Sequence, residues 1–561
     1  ANTGTYSGLY MYRSYDNNIT NSEFLSNYAT RNSGLYLYTS QRNKVINCSF
    51  KHNTISANTH LYGGIIGLYS SATSNVLDNI DLINNTVTTG SYDIYTGGIM
   101  GIRSSGSNTL RNFDFVNNTV HTDEIYGGGI VGVYSSNTNK FYNFSLTNNT
   151  VTTTGTYVYG SPIFGIDYYC DDSIVRNVTV KNAHVVSESS TNGGGIIGIN
   201  GNSVEDNSVQ TVMITDSDLV LSSVDGGGIA GIYYYTGNSL IDITAINITV
   251  NVTSDVAGGI GFGAGWNADN SIFRNISLVN STFISYGDIR GGSGFGFRSS
   301  DSCTIENLRL VNPEIRHYDI VFGGRGFGFY ECDYTTLDTL NMTGVNLTVF
   351  DGNAQGSAGF GLYRSDSNNI NNVWLENNLF NISETGSNSI DGGGLVGFYE
   401  SHSNNFSSFL IKNNTLRSAG GIQGGGVIGI DDSTYNILNN SRITGNYVSV
   451  TYASRFGAVY GFYDDAIGNT IINTSVWKNS YSAPDENGLI VIIADGSNDN
   501  QLRDSRINDS DGHIIYIKSS PAYSTSNASF INLQLANSAG SAIKLYLDEM
   551  VGTRFQNISI V

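Results

Sequence analysis

Apolar and polar residues alternate along this chain in short segments built around a recurring glycine. The residues on either side of that glycine are apolar in most repeats, as in Ile66-Gly67-Leu68 and Val131-Gly132-Val133. Positions i and i+2 of a strand point to one face, so these residues predict a short strand with one buried face. The glycine between them is expected to point to the opposite face.

Two further strands follow each glycine. The second reads Asn, apolar, polar, apolar, as at Asn143 to Leu146, and the third is centred on the valine of Asn-Asn-Thr-Val segments, such as Val151. The whole pattern recurs about every 33 residues, a period typical of solenoids. The anchor glycines are Gly67, Gly101, Gly132, Gly165, Gly198, Gly231, Gly263, Gly296, Gly328, Gly361, Gly397, Gly429 and Gly461.

Three short strands joined by turns make one three-sided coil. The sequence therefore predicts an all-β protein, a single parallel β-helix (three-sided β-solenoid) of about 18 coils of about 33 residues. A propeller would need four strands and about 40 or more residues per repeat, so it is disfavoured. We expect shorter N-terminal coils at 1–60, the main glycine-rich β-helix at 61–483, and shorter C-terminal coils of the same solenoid at 484–561.

An asparagine recurs at the corner before the second strand. Asn tolerates left-handed backbone, and its amide can bond along a stack, so an internal Asn ladder is expected. Its members are Asn79, Asn112, Asn143, Asn177, Asn275, Asn307, Asn372 and Asn473.

The position two residues before the anchor is expected to share the outward face of the anchor glycine. A flat, partly apolar stripe of this kind favours packing against another copy, so a homo-oligomer or polymer through this glycine/apolar face is predicted. The stripe consists of Gly261, Gly294, Gly326 and Gly359 in some coils and Ile65, Ile99, Ile130, Ile196, Ile229 and Leu395 in others.

Composition narrows the choice of partner. The net charge is -20, with only 27 Lys plus Arg, which argues against nucleic acid and anionic lipid. A cation or a neutral glycan is the better expectation for a ligand. No apolar run reaches the roughly 18 residues of a transmembrane helix. The chain opens at Ala1 without an initiator Met or leader, as expected of a mature secreted chain.

The glycine motif followed by the Asn and Asn-Asn-Thr-Val segments resembles the glycine-rich GLUG repeat of bacterial and archaeal surface proteins. The final coils, such as Ala528 to Leu547, are similar to right-handed parallel β-helix repeats. The resemblance implies a right-handed solenoid in an extracellular, cell-surface setting. Such folds serve adhesins, surface-layer and sheath proteins, viral spikes and polysaccharide-cleaving enzymes, so the resemblance supplies no catalytic residue.

Acidic residues form columns three and five residues after successive anchors. Stacked carboxylates about 5 Å apart repel unless a cation, a proton or an arginine neutralises them. Three interpretations stay open: a solvated turn, a Ca²⁺ site at Asp333, Asp366, Glu400 and Asp432, or a catalytic cleft with Glu400, Asp432, Asp464 and Arg364. No organic cofactor is indicated. The columns contain Glu331, Arg364, Glu400, Asp432 and Asp464, and Asp301, Asp333, Asp366 and His402.

A tyrosine column lies two residues after the anchor, and strand parity places it on the outer face. It predicts either a stabilising ladder or a surface for glycan binding or subunit contact, above all at Tyr330, Tyr363, Tyr399 and Tyr463. The column also includes Tyr69, Tyr134 and Tyr233.

N-x-S/T sequons are frequent, although a chain so rich in Asn, Ser and Thr contains many by chance. N-glycosylation is predicted where the turns are exposed, whereas ladder sequons such as Asn143, Asn177 and Asn275 are expected to be buried. The predicted sites are Asn84, Asn117, Asn148, Asn247, Asn251, Asn280, Asn341, Asn346, Asn381, Asn413 and Asn527.

The four cysteines show no metal-ligand spacing, although Cys303 and Cys332, one coil apart, could form a disulfide. The favoured function is a secreted structural or adhesive cell-surface glycoprotein of an extracellular layer, sheath or filament. It would not be an enzyme. The alternatives are a polysaccharide-cleaving β-helix enzyme or viral tailspike, and a glycan-binding module.

Overall fold

The computed structural model describes residues 2–201, 204–383, 390–451, 455–457, 459–482, 491–493, 497–510, 514–518, 525–538, 541–546 and 550–561. Within these ranges the chain is all-β, without a helix, and forms a right-handed parallel β-helix with three sheets. It divides into two compact units, Ala1–Thr282 and Phe283–Val561, and both contain the same kind of coil.

Each regular coil contains four strands. In one coil of the first unit these are Lys140–Thr147 (the long strand), Thr150–Thr153 (the first short strand), Tyr157–Ser161 (the second short strand) and Phe164–Asp167 (the glycine strand, which carries the anchor). The three strands predicted from the sequence are thereby confirmed. The second short strand was not predicted.

The strands of the first sheet are the long strands, which are split in two in several coils. In the first unit they are Asn18–Thr20, Glu23–Leu25, Lys44–Lys51, Val76–Ile83, Thr109–Val116, Lys140–Thr147, Ile174–Lys181, Ser208–Thr215, Ser239–Ile246 and Ile272–Val279. In the second unit they are Thr304–Val311, Thr336–Thr343, Asn369–Glu376, Asn405–Ser407, Leu410–Lys412, Ile437–Asn439, Arg442–Thr444, Thr470–Ile472, Ser475–Trp477, Gln501–Arg503, Arg506–Ser510, Ser529–Ser538 and Arg554–Ile560.

The short strands make the second sheet. In the first unit they are Thr3–Tyr6, Tyr28–Asn32, Thr54–Ser56, Thr86–Thr88, Thr119–Thr122, Ile125–Gly128, Thr150–Thr153, Tyr157–Ser161, His184–Gly194, Asp218–Gly227, Thr249–Val252 and Val256–Gly259. Those that follow along the chain are Thr282–Ser285, Ile289–Gly292, Glu314–His317, Val321–Gly324, Asn346–Val349, Ala354–Ser357, Leu379–Ile382, Ile390–Gly393, Thr415–Ser418, Gln423–Gly425, Tyr447–Val450, Arg455–Gly457 and Ser480–Ser482. A separate pair is formed by Thr525–Ser526 and Met550–Val551.

The glycine strands make the third sheet. In the first unit they are Leu9–Tyr12, Leu35–Tyr38, Ile66–Tyr69, Met100–Arg103, Val131–Tyr134, Phe164–Asp167, Ile197–Asn200, Ala230–Tyr233 and Phe262–Gly265. In the second unit they are Phe295–Arg298, Phe327–Tyr330, Phe360–Tyr363, Val396–Tyr399, Ile428–Asp431, Tyr460–Tyr463, Val491–Ile493, Ile515–Lys518 and Ile543–Tyr546.

Equivalent strands pair in parallel and in register. Val131 lies opposite Phe164, Gly132 opposite Gly165 and Tyr134 opposite Asp167. Because neighbouring strands are about 4.8 Å apart, residues at the same position of successive coils form a column.

A left-handed residue in the middle of each long strand explains its apolar pattern. Asn79 has a φ of 56° and is skipped in the pairing between Val76–Ile83 and its neighbour. This bend lets Leu77 and Ile80, three residues apart, both point into the core together with Leu82, and all three are fully buried. Asn is tolerated there because its short polar side chain makes left-handed backbone less costly.

The anchor glycines are buried, which corrects the predicted outer stripe. A Cβ atom at Gly132 would collide with the carbonyl oxygen of Thr96 and the amide nitrogen of Gly128, and one at Gly328 would collide with the carbonyl oxygen of Gly291. Gly128 and Gly291 belong to second short strands, and Thr96 lies at the equivalent place in its own coil. The outward side of the glycine strand is therefore covered by the chain's own backbone, and only glycine fits between the two.

The position two residues before the anchor faces the core. A Cβ atom at Gly294 would meet the side chain of Leu310, and one at Gly326 would meet Met342. The predicted alternation of inward and outward side chains does not hold across this segment. The chain turns between the second short strand and the glycine strand, and the alternation starts again after that turn. The residues Ile65, Ile99, Ile130, Ile196, Ile229 and Leu395 are fully buried. This face is thus unavailable as an interface, and oligomerisation itself stays a prediction.

The asparagine ladder that was predicted to be internal is exposed. Asn143 Nδ2 donates to Asn112 Oδ1 at 2.8 Å and Asn177 Nδ2 donates to Asn143 Oδ1 at 3.0 Å, at the surface. The left-handed bend turns these side chains outward. The sequons at Asn143, Asn177 and Asn275 are consequently exposed as well.

Two other asparagine ladders run inside each unit. One precedes the long strands and the other precedes the first short strands, and each side chain bonds the next coil through its amide. The first-unit ladders contain Asn43, Asn75, Asn108 and Asn139, and Asn53, Asn85, Asn118 and Asn149. The second-unit ladders contain Asn404, Asn436, Asn469 and Asn500, and Asn378, Asn414, Asn446 and Asn479.

The regular part of the solenoid has about 14 turns, slightly fewer than predicted, and shorter coils at its two ends contribute the remaining glycine strands. The boundary predicted after residue 483 falls outside the described residues. Among the residues that the structure describes, no helix has the length and apolarity to cross a membrane.

Candidate functional site

The column of Asp301, Asp333 and Asp366 is a backbone ladder. Asp333 N donates to Asp301 Oδ1 at 2.8 Å, Asp366 N to Asp333 Oδ1 at 2.7 Å, and His402 N to Asp366 Oδ1 at 2.6 Å. Each carboxylate thus accepts an N–H from the next coil, which offsets the repulsion between neighbours. Partial burial still raises the pKa of Asp333.

The column three residues after the anchor lies in left-handed turns. Arg364 Nε donates to Glu400 Oε2, so the predicted neutralising arginine pairs with Glu400. Burial first, and then the neighbouring Glu400 and Asp464 carboxylates, raise the pKa of Asp432. No group of three or more Asp, Glu, His or Cys side chains that could hold a metal ion occurs in the described residues. The Ca²⁺ site and the catalytic cleft remain predictions.

The tyrosines of the second unit stack on one another. The ring centroids of Tyr330 and Tyr363 are 5.2 Å apart at an interplanar angle of 9°, and those of Tyr363 and Tyr399 are 5.6 Å apart at 14°. Tyr363 is only 5% exposed. Because each ring covers the face of the next, this column leaves little ring surface for a sugar.

The predicted glycosylation sites divide by exposure. The asparagines at the turns are exposed, whereas Asn251, Asn341 and Asn381 are half-buried. No disulfide forms among the four cysteines, all of which are described and buried. The hypothesis of a Cys303–Cys332 bridge is therefore wrong for this structure. The exposed acceptors are Asn84, Asn117, Asn148, Asn247, Asn280, Asn346, Asn413 and Asn527.

A pocket in the first unit has the features of a ligand site, and sequence reasoning missed it. Its volume is about 530 Å³, within the range of about 300–1,000 Å³ that small-molecule sites occupy. The lining residues are Tyr126, Tyr134, Tyr157, Tyr159, Asp167, Tyr168, Asn192, Asn200, Gly201, Tyr233 and Tyr234.

One wall of this tyrosine-lined pocket comes from the second short strands. Tyr95, Tyr126 and Tyr159 occupy one column, with ring centroids 4.7 Å apart for the first pair and 5.0 Å for the second. Tyr157 stacks beside Tyr159 at 5.4 Å and is 41% exposed. The next residue of the column is Asn192, opposite Tyr159, where the row of rings stops.

The other wall comes from the glycine strands. Its column runs from Tyr134 through Asp167 and Asn200 to Tyr233. Tyr168, in the turn after Asp167, stacks on Tyr134 at 5.2 Å and 11°. Two short polar side chains therefore interrupt a tyrosine column between two rings, and the pocket is the space that those missing rings leave.

The floor of the pocket is polar and shielded. Asp167 and Asn200 are each 3% exposed, and Asn200 Nδ2 donates to Asp167 Oδ1 at 2.8 Å. Burial raises the pKa of Asp167 to about 7, although hydrogen bonds from Asn200 and from the backbone of Tyr168 and Gly127 oppose the shift.

Glycine keeps this floor open. Gly201 has a φ of 115°, and a side chain there would collide with Asp167 Oδ1 and the backbone of Tyr168. Any L-residue would both strain the backbone and cover the carboxyl oxygen.

An arginine encloses the end of the pocket nearest Tyr134. The Arg103 guanidinium lies over four tyrosine rings, 4.4 Å from the centroid of Tyr62, 5.1 Å from Tyr95, 5.2 Å from Tyr134 and 5.7 Å from Tyr69. These cation–π contacts hold the rings that begin both walls, and the buried Nη1 atom of Arg103 makes no hydrogen bond within the described residues.

The sequence matches no protein-family model and no curated protein. Among solved structures, a double mutant of the tailspike protein of E. coli bacteriophage HK620, in complex with a pentasaccharide, is similar at 12% identity and a TM-score of 0.27, covering 91% of this chain and 73% of that chain. A GH87 alpha-1,3-glucanase catalytic domain in complex with nigerose is similar at 12% identity and a TM-score of 0.15, covering 91% and 64%. Similarity at this level concerns the fold alone.

Proposed function

We propose that this protein is an extracellular adhesive β-solenoid that binds carbohydrate through the tyrosine-lined pocket of its first unit. The pocket itself is the observation that carries the proposal. Tyrosine rings offer apolar faces for the C–H faces of a sugar, and their hydroxyl groups, with Asn192 and Asn200, offer hydrogen bonds. Rings held in two stacked columns are fixed before the ligand arrives, which reduces the entropic cost of binding.

Binding is proposed rather than cleavage. Hydrolysis of a glycosidic bond ordinarily needs two carboxyl groups that flank the bond. Among the described residues that line the pocket, Asp167 is the one carboxyl group. Glu400, Asp432, Asp464 and Arg364 occupy equivalent left-handed turns of successive coils, and a cleaving enzyme built on them stays a prediction.

An extracellular setting and N-glycans belong to the same proposal. The net charge of -20 is spread over a surface rich in Asn, Ser and Thr, and exposed sequons such as Asn84, Asn117 and Asn148 occupy successive coils. Glycans there would cover the turn after the long strand, whereas the pocket lies beside the glycine strand and stays open.

Glycan-array binding followed by calorimetry tests the function. The full chain is expected to bind, and Tyr159→Ala to weaken binding about fivefold, because one stacked ring contributes on the order of 1 kcal/mol. Phe322→Ala is the matched control, since Phe322 occupies the same column position in the second unit, against Tyr330. Equal losses in both variants, or no binding by the unaltered chain, would refute the proposal.

A further inference from the structure

The gap in the glycine-strand column defines the size of the ligand. Tyr134 and Tyr233 are three register steps apart, or about 14 Å at 4.8 Å a step. Asp167 and Asn200 fill only the bottom of that span. The space above them suits one sugar ring lying between aromatic walls.

The floor offers acceptors for hydroxyl groups. An ionised carboxylate accepts at about four lone-pair positions. Asn200 Nδ2 and two backbone N–H groups supply partners for Asp167. A remaining lone pair under Gly201 can accept a hydrogen bond from a ligand hydroxyl group, and a charge-assisted bond of that kind is stronger than a neutral one.

The charge around Asp167 excludes anions. The titratable and charged groups that face it come from the adjoining glycine strand, both neighbouring second short strands and the following turn. They are Tyr134, Tyr126 with Glu124, Tyr157, Tyr159, Tyr168, Tyr169 and Cys170. Tyr134 and Cys170 are neutral near pH 7, since burial raises the pKa of Tyr134 to about 12 and raises that of Cys170 above its usual range.

No cation among these groups would compensate an acidic sugar. The Arg103 guanidinium packs among tyrosine rings and is not one of the residues that line the pocket. A uronate or sialate carboxylate in the pocket would therefore meet the buried Asp167 carboxylate in a poorly solvated space, where like charges repel strongly.

We infer that the pocket selects a neutral sugar residue, whose hydroxyl groups donate to the buried Asp167 carboxylate, and rejects anionic sugars. This rests on the proposed function and names its ligand class. It also makes affinity depend on pH. The ionised carboxylate is the better acceptor, and because its pKa is raised to about 7, it is present above that pH and lost as the pH falls below it.

The experiment compares neutral oligosaccharides with matched glycans that carry uronic or sialic acid, using the full chain. Neutral glycans are expected to bind. Their affinity should fall about tenfold from pH 8.5 to pH 5.5, because protonation of Asp167 removes roughly 1.4 kcal/mol of charge-assisted hydrogen bonding. Asp167→Asn is expected to bind weakly at both pH values. Asp431→Asn, which alters the buried aspartate at the equivalent position of the second unit, should keep the full pH dependence.

The outcomes separate the two proposals. Preference for anionic glycans, or a pH dependence that survives in Asp167→Asn, overturns the selectivity while leaving carbohydrate binding intact. Failure of every glycan to bind the unaltered chain overturns the proposed function and the selectivity together. The comparison of glycan classes needs only the unaltered chain, so it is decisive even if a variant does not fold.

Discussion

Removal of one buried amide tests whether the internal asparagine ladders hold the coils together. Asn118 Nδ2 donates to Leu82 O at 2.8 Å and to Asn149 Oδ1 at 3.0 Å. Its Oδ1 accepts from Asn85 N at 3.0 Å and from Asn85 Nδ2 at 2.9 Å. Asn118→Ala removes all four hydrogen bonds and leaves the buried backbone N–H of Asn85 without this acceptor.

The magnitude follows from these contacts. A typical intramolecular hydrogen bond contributes about 1 kcal/mol net, so the loss is expected to be about 4 kcal/mol. That corresponds to roughly a thousandfold increase in the local opening constant. In a solenoid each coil contacts only its neighbours, so the effect should concentrate in the adjoining coils.

Hydrogen exchange measured residue by residue is the appropriate assay. Amides of the strands Val76–Ile83 and Thr109–Val116 should lose about a thousandfold in protection. Asn112→Gly is the control, because Asn112 belongs to the exposed ladder and its φ of 58° suits glycine. It should cost less than about 1 kcal/mol. Equal losses of protection in the two variants would refute the structural role of the internal ladders.

Three further changes follow from the structure. Asn200→Tyr restores one of the two missing rings of the tyrosine column, so calorimetry should show loss of carbohydrate binding in a chain that still melts cooperatively; retained binding would contradict the gap as the origin of the pocket. Gly132→Ala forces a Cβ into backbone and should cost about 3 kcal/mol or more by chemical denaturation, whereas Gly90→Asn, at an open site with a φ of 60°, should cost little. Burial raises the pKa of Asp391 to about 6, so its ionisation lowers the stability of the folded chain as the pH rises from about 4 through 6. Asp391→Asn should therefore raise the melting temperature at pH 8 and not at pH 4. Equal effects at both pH values would argue against that burial.

Periodicity predicted most of the fold. Apolar positions such as Val131, Val133 and Phe144 are buried as expected, because a strand that pairs in register on both sides repeats its environment in every coil. The second short strand escaped prediction because its glycines and polar residues carry no alternation. That omission also caused the error at the glycine face, since nothing in the alternation around Gly132 indicates that another strand covers it.

The candidate site was harder to predict for a different reason. The tyrosine column predicted from the sequence includes Tyr134 and Tyr233, which flank the gap, together with the tyrosines of the second unit, which stack and cover one another. The pocket arises where such a column is interrupted, at Asp167 and Asn200. A signal existed in Tyr126 and Tyr159, which each directly precede a glycine. This Tyr-Gly pattern could not be assigned to a pocket without the second short strand, which was not predicted and which places those rings beside Tyr134.

The interrupted column has an evolutionary consequence. A cavity made by shortening two side chains in a repetitive ladder requires no new loop, no insertion and no change of register. Equivalent cavities could arise at other coils by point substitution, and an existing one could be erased by restoring a ring. Related chains with the same scaffold can therefore differ in what they recognise through one or two substitutions. In the second unit, Asp431 is a single short residue between Tyr399 and Tyr463. Replacement of one of those tyrosines by a short side chain would open a recess there.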